Sequence, residues 1–205
     1  MSQKTALIID FDGVLVHSML PMVNYISQTF KVTKNSAFRR IFRYSLKNKH
    51  GWVSNSLKNY HAKKFLKFLE KNEQVDSKNS IINEQMFEIL SQIDCPKAIL
   101  TTNYSFVCKQ ILGEKVEMFE QIIGFDTVLS KTKGLEFLFG LPQFDKEKTL
   151  LISDTIGDIL EFQQTVPTSQ IVASSWGFNP RPVLESVLPR NQVLESPQDL
   201  LAFMK

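Results

Sequence analysis

Three short apolar runs each end in residues able to do chemistry. Asp10-Phe-Asp12-Gly13 follows the first, Thr101-Thr102-Asn103 the second, and Ser153-Asp154-Thr-Ile-Gly157-Asp158 the third. Carboxylates gathered from separate segments repel one another, and a hard cation removes that cost. Oxygen ligands in an octahedral arrangement suit Mg²⁺, with Asp10 and Asp154 as the natural direct ligands. Asp10 and Asp12 would share a face of a strand, but a turn at Gly13 can redirect the second side chain. The two can then hold different jobs. One ligates metal and attacks phosphorus, while the other, kept partly protonated, acts as general acid and then base. Thr102 offers a hydroxyl to a phosphate oxygen, and the amide of Asn103 a second donor. Lys131 or Lys133, heading a helical pattern, can meet the remaining negative charge. Each piece has a plainer reading alone: a D-x-D turn, a Thr-Thr-Asn turn, an N-cap and first-turn acid at Asp154 and Asp158. Their conjunction, in order and each at the end of an apolar run, points to a shared site.

The elements that must position these residues follow from the same runs. Thr5–Ile9, Ala98–Leu100, 121–125, Thr149–Ile152, 170–173 and 192–194 read as short strands. Unbroken apolar strands imply burial on both faces, as in a parallel sheet. Helical patterns lie between them, around 106–112, 132–140, 156–165, 181–188 and 197–204. The alternation predicts an α/β fold, a doubly wound, Rossmann-like parallel sheet. In such sheets ligands gather beyond the carboxyl ends of the strands, where all three acidic or hydroxyl turns would lie.

Residues 18–90 break the rhythm. They carry helical patterns and no convincing strand. Phe65, Leu66, Phe68 and Leu69 mark one helix face, and Phe38, Ile41, Phe42 and Tyr44 another, so the two could bury against each other in a small helical insert. Asn72–Ser80 is polar and reads as the return linker. The expected division is a core of 1–17 and 91–205 with an all-helical cap of 18–90 inserted after the first strand.

The 205 residues suffice for one domain with a small insertion, and 43% hydrophobic with 22% charged residues is an ordinary globular composition. No apolar run reaches the ~18 residues of a membrane span, and the first run is too short for a signal peptide, so the chain reads as cytoplasmic. Cys95 and Cys108 form no C-x-x-C pair and read as free thiols. The net charge of +3 conceals an asymmetry: between Lys31 and Lys71 stand 12 Lys or Arg and one acid, Glu70. Charge segregated in this way bears on partners rather than fold.

The motifs resemble those of the haloacid dehalogenase-like hydrolase superfamily, in particular its phosphoglycolate-phosphatase-like members. The matching segments are Asp10-Phe-Asp-Gly-Val-Leu-Val-His-Ser18, Ala98-Ile-Leu-Thr-Thr102-Asn103 and Leu151-Ile-Ser-Asp154-Thr-Ile-Gly-Asp158-Ile159. The resemblance covers the core and not the insert in detail. It implies Asp10 as nucleophile and Mg²⁺ ligand, and Asp12 as acid and base with its backbone carbonyl on the metal. Thr102 and Asn103 would bind phosphate, and Asp154 would be a further ligand with Asp158 supporting it. The lysine of such sites is best matched by Lys131, because Leu135 and Leu138 follow it on an inward helix face; Lys133 is the runner-up. The insert resembles a cap that closes over the site. Relatives that cleave carbon–halogen bonds lack an acid at the position of Asp12, so its presence favours phosphoryl chemistry. Many relatives carry Asp where this chain has His17, and Gly where it has Ser153.

The expected activity is hydrolysis of a small anionic phosphomonoester, with Mg²⁺, through an aspartyl-phosphate. A phosphomutase on the same core is the alternative. Arg39, Arg40, Arg43, Lys47 and Lys49 could draw an anionic substrate. With Phe38, Phe42, Tyr44 and Trp52 interleaved they could also contact nucleic acid, the less favoured reading. A binding protein on an inactivated core is disfavoured, since every catalytic position holds a competent residue. Trp176-Gly177-Phe178 follows the fifth strand, at a place where it could line the rim of the pocket.

Overall fold

The computed structural model describes residues 5–45, 55–71, 81–128 and 130–204. Lys47, Lys49, Trp52 and the 72–80 linker lie outside the described residues, as do the side chains of Arg43 and Tyr44. Six parallel strands form one sheet: β1 (Ala6–Ile9), β2 (Lys97–Leu100), β3 (Gln121–Ile123), β4 (Thr149–Ser153), β5 (Ile171–Ser174) and β6 (Val193–Leu194), in the order β3-β2-β1-β4-β5-β6. The chain therefore winds outward from β1 in both directions, as a doubly wound sheet does. Along β1, Leu7 and Ile9 join one buried cluster while Ala6 and Ile8 join the other. That period-2 split explains the unbroken apolar runs, since both faces are covered.

The first face carries α4 (Glu84–Ser91) and α5 (Ser105–Leu112), through Met86, Leu90, Val107 and Ile111. The second carries α6 (Lys131–Phe139), α7 (Ile156–Phe162) and the short α8 (Arg181–Leu184), through Leu135, Leu138, Ile159, Phe162 and Leu184. Ile9 pairs with Ile99 on one side and with Ile152 on the other. This register brings Asp10, Thr101 and Asp154 out at nearly the same level on one edge. Two glutamines fasten the sheet's other half. Gln170 Nε2 donates to the Lys146 and Thr149 carbonyls, and Gln192 Nε2 repeats the clasp one strand on, to Thr168 and Ile171.

Between β1 and β2 the chain forms α1 (Met19–Phe30), α2 (Lys34–Ser45) and α3 (Asn55–Lys71) before α4 returns to the sheet. Tyr25 of α1 packs edge-on against Phe65 and Phe68 of α3, with ring centroids 5.4 and 5.7 Å apart. Phe65, Leu66 and Leu69 are buried. The aromatic face of α2 is less covered than its pattern predicts. Ala37 is the buried residue among the described side chains of that helix, and Phe38, 44% exposed, turns outward to stack on Phe42. A small side chain at the contact lets two helices approach closely, which leaves the bulky neighbour outside. Val16 and Ile82 form a bridge where the insert leaves and rejoins the sheet, and Asn83 caps α4 by accepting from Met86 N. Cys95, ahead of β2, and Cys108, on α5, are free thiols. Among the described residues no helix is long and apolar enough to cross a membrane.

Candidate active site

A cavity of about 360 Å³ opens above the carboxyl ends of β1, β2 and β4, within the ~300–1,000 Å³ usual for small-molecule sites. Asp10, Asp12, Thr102, Asp154, Asp158 and Phe178 line its sheet side, and Met22, Ile26, Arg40 and Ile41 of α1 and α2 line the opposite side. An acidic floor thus faces an apolar roof that bears Arg40.

Each floor residue is held from its own strand end. Asp10 Oδ1 accepts from Phe11 N at 2.8 Å. Gly13, at φ +79°, makes the turn that carries Asp12 away from Asp10. Asp12 Oδ2 accepts from Asn103 Nδ2 at 3.3 Å, which ties the end of β1 to the end of β2. Asn103 N is in turn held by Thr101 Oγ1, and Tyr104 N donates to Asn103 Oδ1. Asn103 thus spends its backbone N–H inside its own turn and a side-chain N–H on Asp12, while Thr102 lines the cavity. Thr155 caps α7 by accepting from Asp158 N, so the helix start that places Asp158 is fixed without using its carboxylate.

Lys131 is 2% exposed, and its Nζ stands 2.9 Å from Asp10 Oδ1 and 2.8 Å from Asp158 Oδ2. Ser130 caps the helix it heads, and Glu161 accepts from Thr132 N and Oγ1, pinning that turn to α7. Lys133 is exposed and takes no part. Burial and the neighbouring Asp158 and Asp154 push the Asp10 carboxyl well above its usual range against the pull of Lys131. Burial also raises Asp12, opposed by the Ser18 hydroxyl and by the Asn103 hydrogen bond. Burial works on Asp158 in the same sense, but the Lys131 charge and the hydrogen bonds from Lys131 and Ser153 outweigh it and hold Asp158 below its usual value. Burial depresses Lys131, yet its two carboxylate partners more than offset this and keep it protonated.

Asp154 is fully buried, and burial together with Asp158 and Asp12 raises its pKa to about 8. Oδ2 accepts from Phe178 N at 2.6 Å, whereas Oδ1 has no protein partner, and Asp12 Oδ1 is likewise buried and bare. Buried carboxylate oxygens left bare are costly, and a bound cation would satisfy them. Among the described residues no three Asp, Glu, His or Cys side chains make a ready cation cage. Mg²⁺ does not need one, being commonly held by one or two carboxylates with waters completing the octahedron. The carboxylates of Asp10 and Asp154, the latter with its bare Oδ1, therefore suit a small hard cation.

The motifs did not single out several supporting contacts. Ser153 Oγ donates to Asp158 Oδ2 at 2.9 Å and lies 3.4 Å from Asp10 Oδ2. Asn179 Oδ1 accepts from Ile156 N at the head of α7. Gly13 and Gly177 crowd Asp154 so closely that a side chain on either would collide with it. A polar residue ending a buried strand was the available signal for Ser153; backbone donors such as Phe178 N leave none. Trp176 donates to Val14 O and, with exposed His17, lines a separate cavity rather than this one.

No family model and no curated protein matches the sequence. Solved structures do. A haloacid dehalogenase-like hydrolase from Streptococcus pneumoniae superposes with a TM-score of 0.72 at 19% identity over 100% of both chains. A predicted phosphoglycolate phosphatase from Haemophilus somnus gives 0.71 at 16% over 100% of both. CbbY from Rhodobacter sphaeroides, solved with phosphate, gives 0.72 at 13% over 98% of this chain and 99% of the other. At such identities the likeness establishes the fold.

Proposed function

We propose that this chain, whose fold is that of the haloacid dehalogenase-like hydrolases, is a phosphatase that hydrolyses a phosphomonoester by way of an aspartyl-phosphate on Asp10. The observation that carries this reading is the arrangement around Lys131. One buried ammonium holds Asp10 and Asp158 at 2.9 and 2.8 Å, while the bare oxygens of Asp12 and Asp154 lie close by. Buried side-chain oxygens nearly always have a partner, so bare ones beside this ion pair mark a place for a bound group.

Asp10 and Asp154, with the backbone carbonyl of Asp12, would hold Mg²⁺, which when bound supplies positive charge to the phosphate and to the carboxylate cluster. Lys131 opposes protonation of Asp10 and aims it. Asp10 attacks phosphorus in line, and the bond from phosphorus to the ester oxygen breaks. Asp12, raised by burial and therefore able to carry a proton, gives that proton to the departing oxygen. In the second step Asp12 takes a proton from water as the water attacks the phosphoryl group, releasing inorganic phosphate and restoring Asp10. Thr102 offers its hydroxyl to the phosphoryl oxygens. Asn103 keeps Asp12 oriented through its 3.3 Å hydrogen bond. Arg40, on the roof, favours an anionic substrate.

In this reading α1 to α3 form a cap that covers the α/β core. The bridge of Ile82 to Val16 and the bond from Asn83 Nδ2 to Val14 O support resuming the core at about residue 81 rather than at 91. Phosphate release from a panel of phosphomonoesters with Mg²⁺, run beside Asp10→Asn, tests the proposal. Turnover by the wild type that the variant lacks is expected; equal release by both would refute Asp10 as nucleophile.

A further inference from the structure

We propose that the alcohol released by this phosphatase carries a planar aromatic ring, seated in a second chamber that opens from Asp12. The inference rests on the phosphatase reading and adds the class of leaving group. A chamber of about 350 Å³ adjoins the catalytic cavity. The two share Asp12, Thr102, Met22 and Ile26, but Asp10, Asp154 and Asp158 line only the first. The phosphoryl group must sit with the nucleophile. The ester oxygen must lie within ~2.6–3.2 Å of the acid that protonates it. The group attached to that oxygen then extends past Asp12 into the second chamber.

That chamber is aromatic. Tyr25, Phe30, Phe65 and Tyr104 wall it together with the imidazole of His61, and no Lys or Arg stands among its described lining residues. An anionic tail placed there would lose its hydration with no countercharge to replace it. A flat ring would instead meet ring faces and edges. Phe30 is 49% exposed, and its ring lies 5.4 Å from His61 at an interplanar angle of 34°, so one aromatic face stands open near the chamber. Tyr25 and His61 supply the polar point. The Tyr25 hydroxyl lies 2.9 Å from His61 Nδ1 and donates to the His61 carbonyl at 3.3 Å, a pair that a ring nitrogen or exocyclic group could join. Aryl phosphates and nucleoside monophosphates share this chemistry.

The test measures kcat and KM with Mg²⁺ for phenyl phosphate, a purine nucleoside 5′-monophosphate, phosphoglycolate and a sugar bisphosphate, on the wild type, Phe30→Ala and Arg40→Ala. The expected result is a kcat/KM at least tenfold higher for one of the ring-bearing substrates, and which one wins identifies the source of the ring. Phe30→Ala should raise KM for that substrate about tenfold more than for phosphoglycolate, as loss of one stacking contact implies. Preference for phosphoglycolate or the bisphosphate, with Arg40→Ala selectively abolishing it, would overturn the inference and leave the phosphatase standing. A Phe30→Ala effect equal on all substrates would also overturn it. Absence of turnover on every substrate would instead remove the phosphatase reading, and the inference with it.

Discussion

Replacing Gly177 by alanine tests how tightly Asp154 is positioned. Gly177 has no positive φ, so alanine meets no backbone strain there and the perturbation is the methyl group alone. That methyl would sit 2.6 Å from Asp154 Cγ and closer still to Cβ and Oδ2, where ordinary contact begins at 3.4 Å. Reaching 3.4 Å therefore requires a displacement of about 0.8 Å at Cγ and about 1.1 Å at Cβ, and the optimum carbon separation is ~3.5–4.0 Å. Asp154 has little room to yield, being fully buried and bonded to Phe178 N at 2.6 Å. A misplacement of ~1 Å at a reacting centre costs about 10²-fold in rate. Overpacking a full core costs about 1–3 kcal/mol, or roughly 2–12 °C in Tm for a chain of this length. The variant should remain folded, lose about 100-fold in kcat/KM and need more Mg²⁺ for half-maximal rate. Phosphate release over a Mg²⁺ titration, with thermal unfolding alongside, reads all three. Gly140→Ala is the control: its methyl would approach Phe137 O at 3.2 Å, away from the site, and activity should stay near that of the wild type. If Gly177→Ala keeps kcat/KM within threefold and the same Mg²⁺ dependence, the close fit around Asp154 is not what the chemistry depends on.

Two further outcomes follow from the charges. Lys131→Met leaves two buried carboxylates without their shared counterion, a loss of about 3–5 kcal/mol by analogy with broken buried pairs, whereas exposed Lys133→Met should stay within about 0.5 kcal/mol of the wild type. Urea unfolding of both variants checks this, and equal stabilities would contradict the assignment of Lys131. Without a divalent cation the raised Asp154, titrating at about 8, binds its proton more tightly folded than unfolded. Stability should therefore fall as pH rises from about 4 to 8, by up to ~1.4 kcal/mol per pH unit, and raised Asp10 adds to the slope. Lowered Asp158 acts the other way but only near and below pH 4, as it loses its charge. Thermal unfolding in chelator at pH 5, 6, 7 and 8 should show the decline, and Mg²⁺ should reduce it; a flat profile in chelator would refute the account.

The parts of this site that the sequence made legible share a physical cause. A parallel strand buried on both faces reads as an unbroken apolar run, so its carboxyl end is marked by the first polar residue: Asp10, Thr101 and Ser153, the last directly before Asp154, stand at such marks. Lys131 was separable from Lys133 because Leu135 and Leu138 fix which side of α6 faces inward, and Lys131, Leu135 and Leu138 are all buried. Contacts made by backbone atoms had no such mark. Phe178 N and the close passage of Gly177 depend on a loop conformation that no side-chain type encodes. The cap was harder for a different reason. Ala37 rather than Phe38 makes the buried contact of α2, and Tyr25 meets His61 across 36 residues of sequence, so helical periodicity marks a face without saying what lies opposite. The residues of the candidate site hang on strand ends marked by local pattern, while the walls beyond Asp12 arise where α1 and α3 come to lie over the β2 end. A candidate site can therefore be read from short motifs in such a chain, whereas the walls around it depend on long-range packing and require the structure.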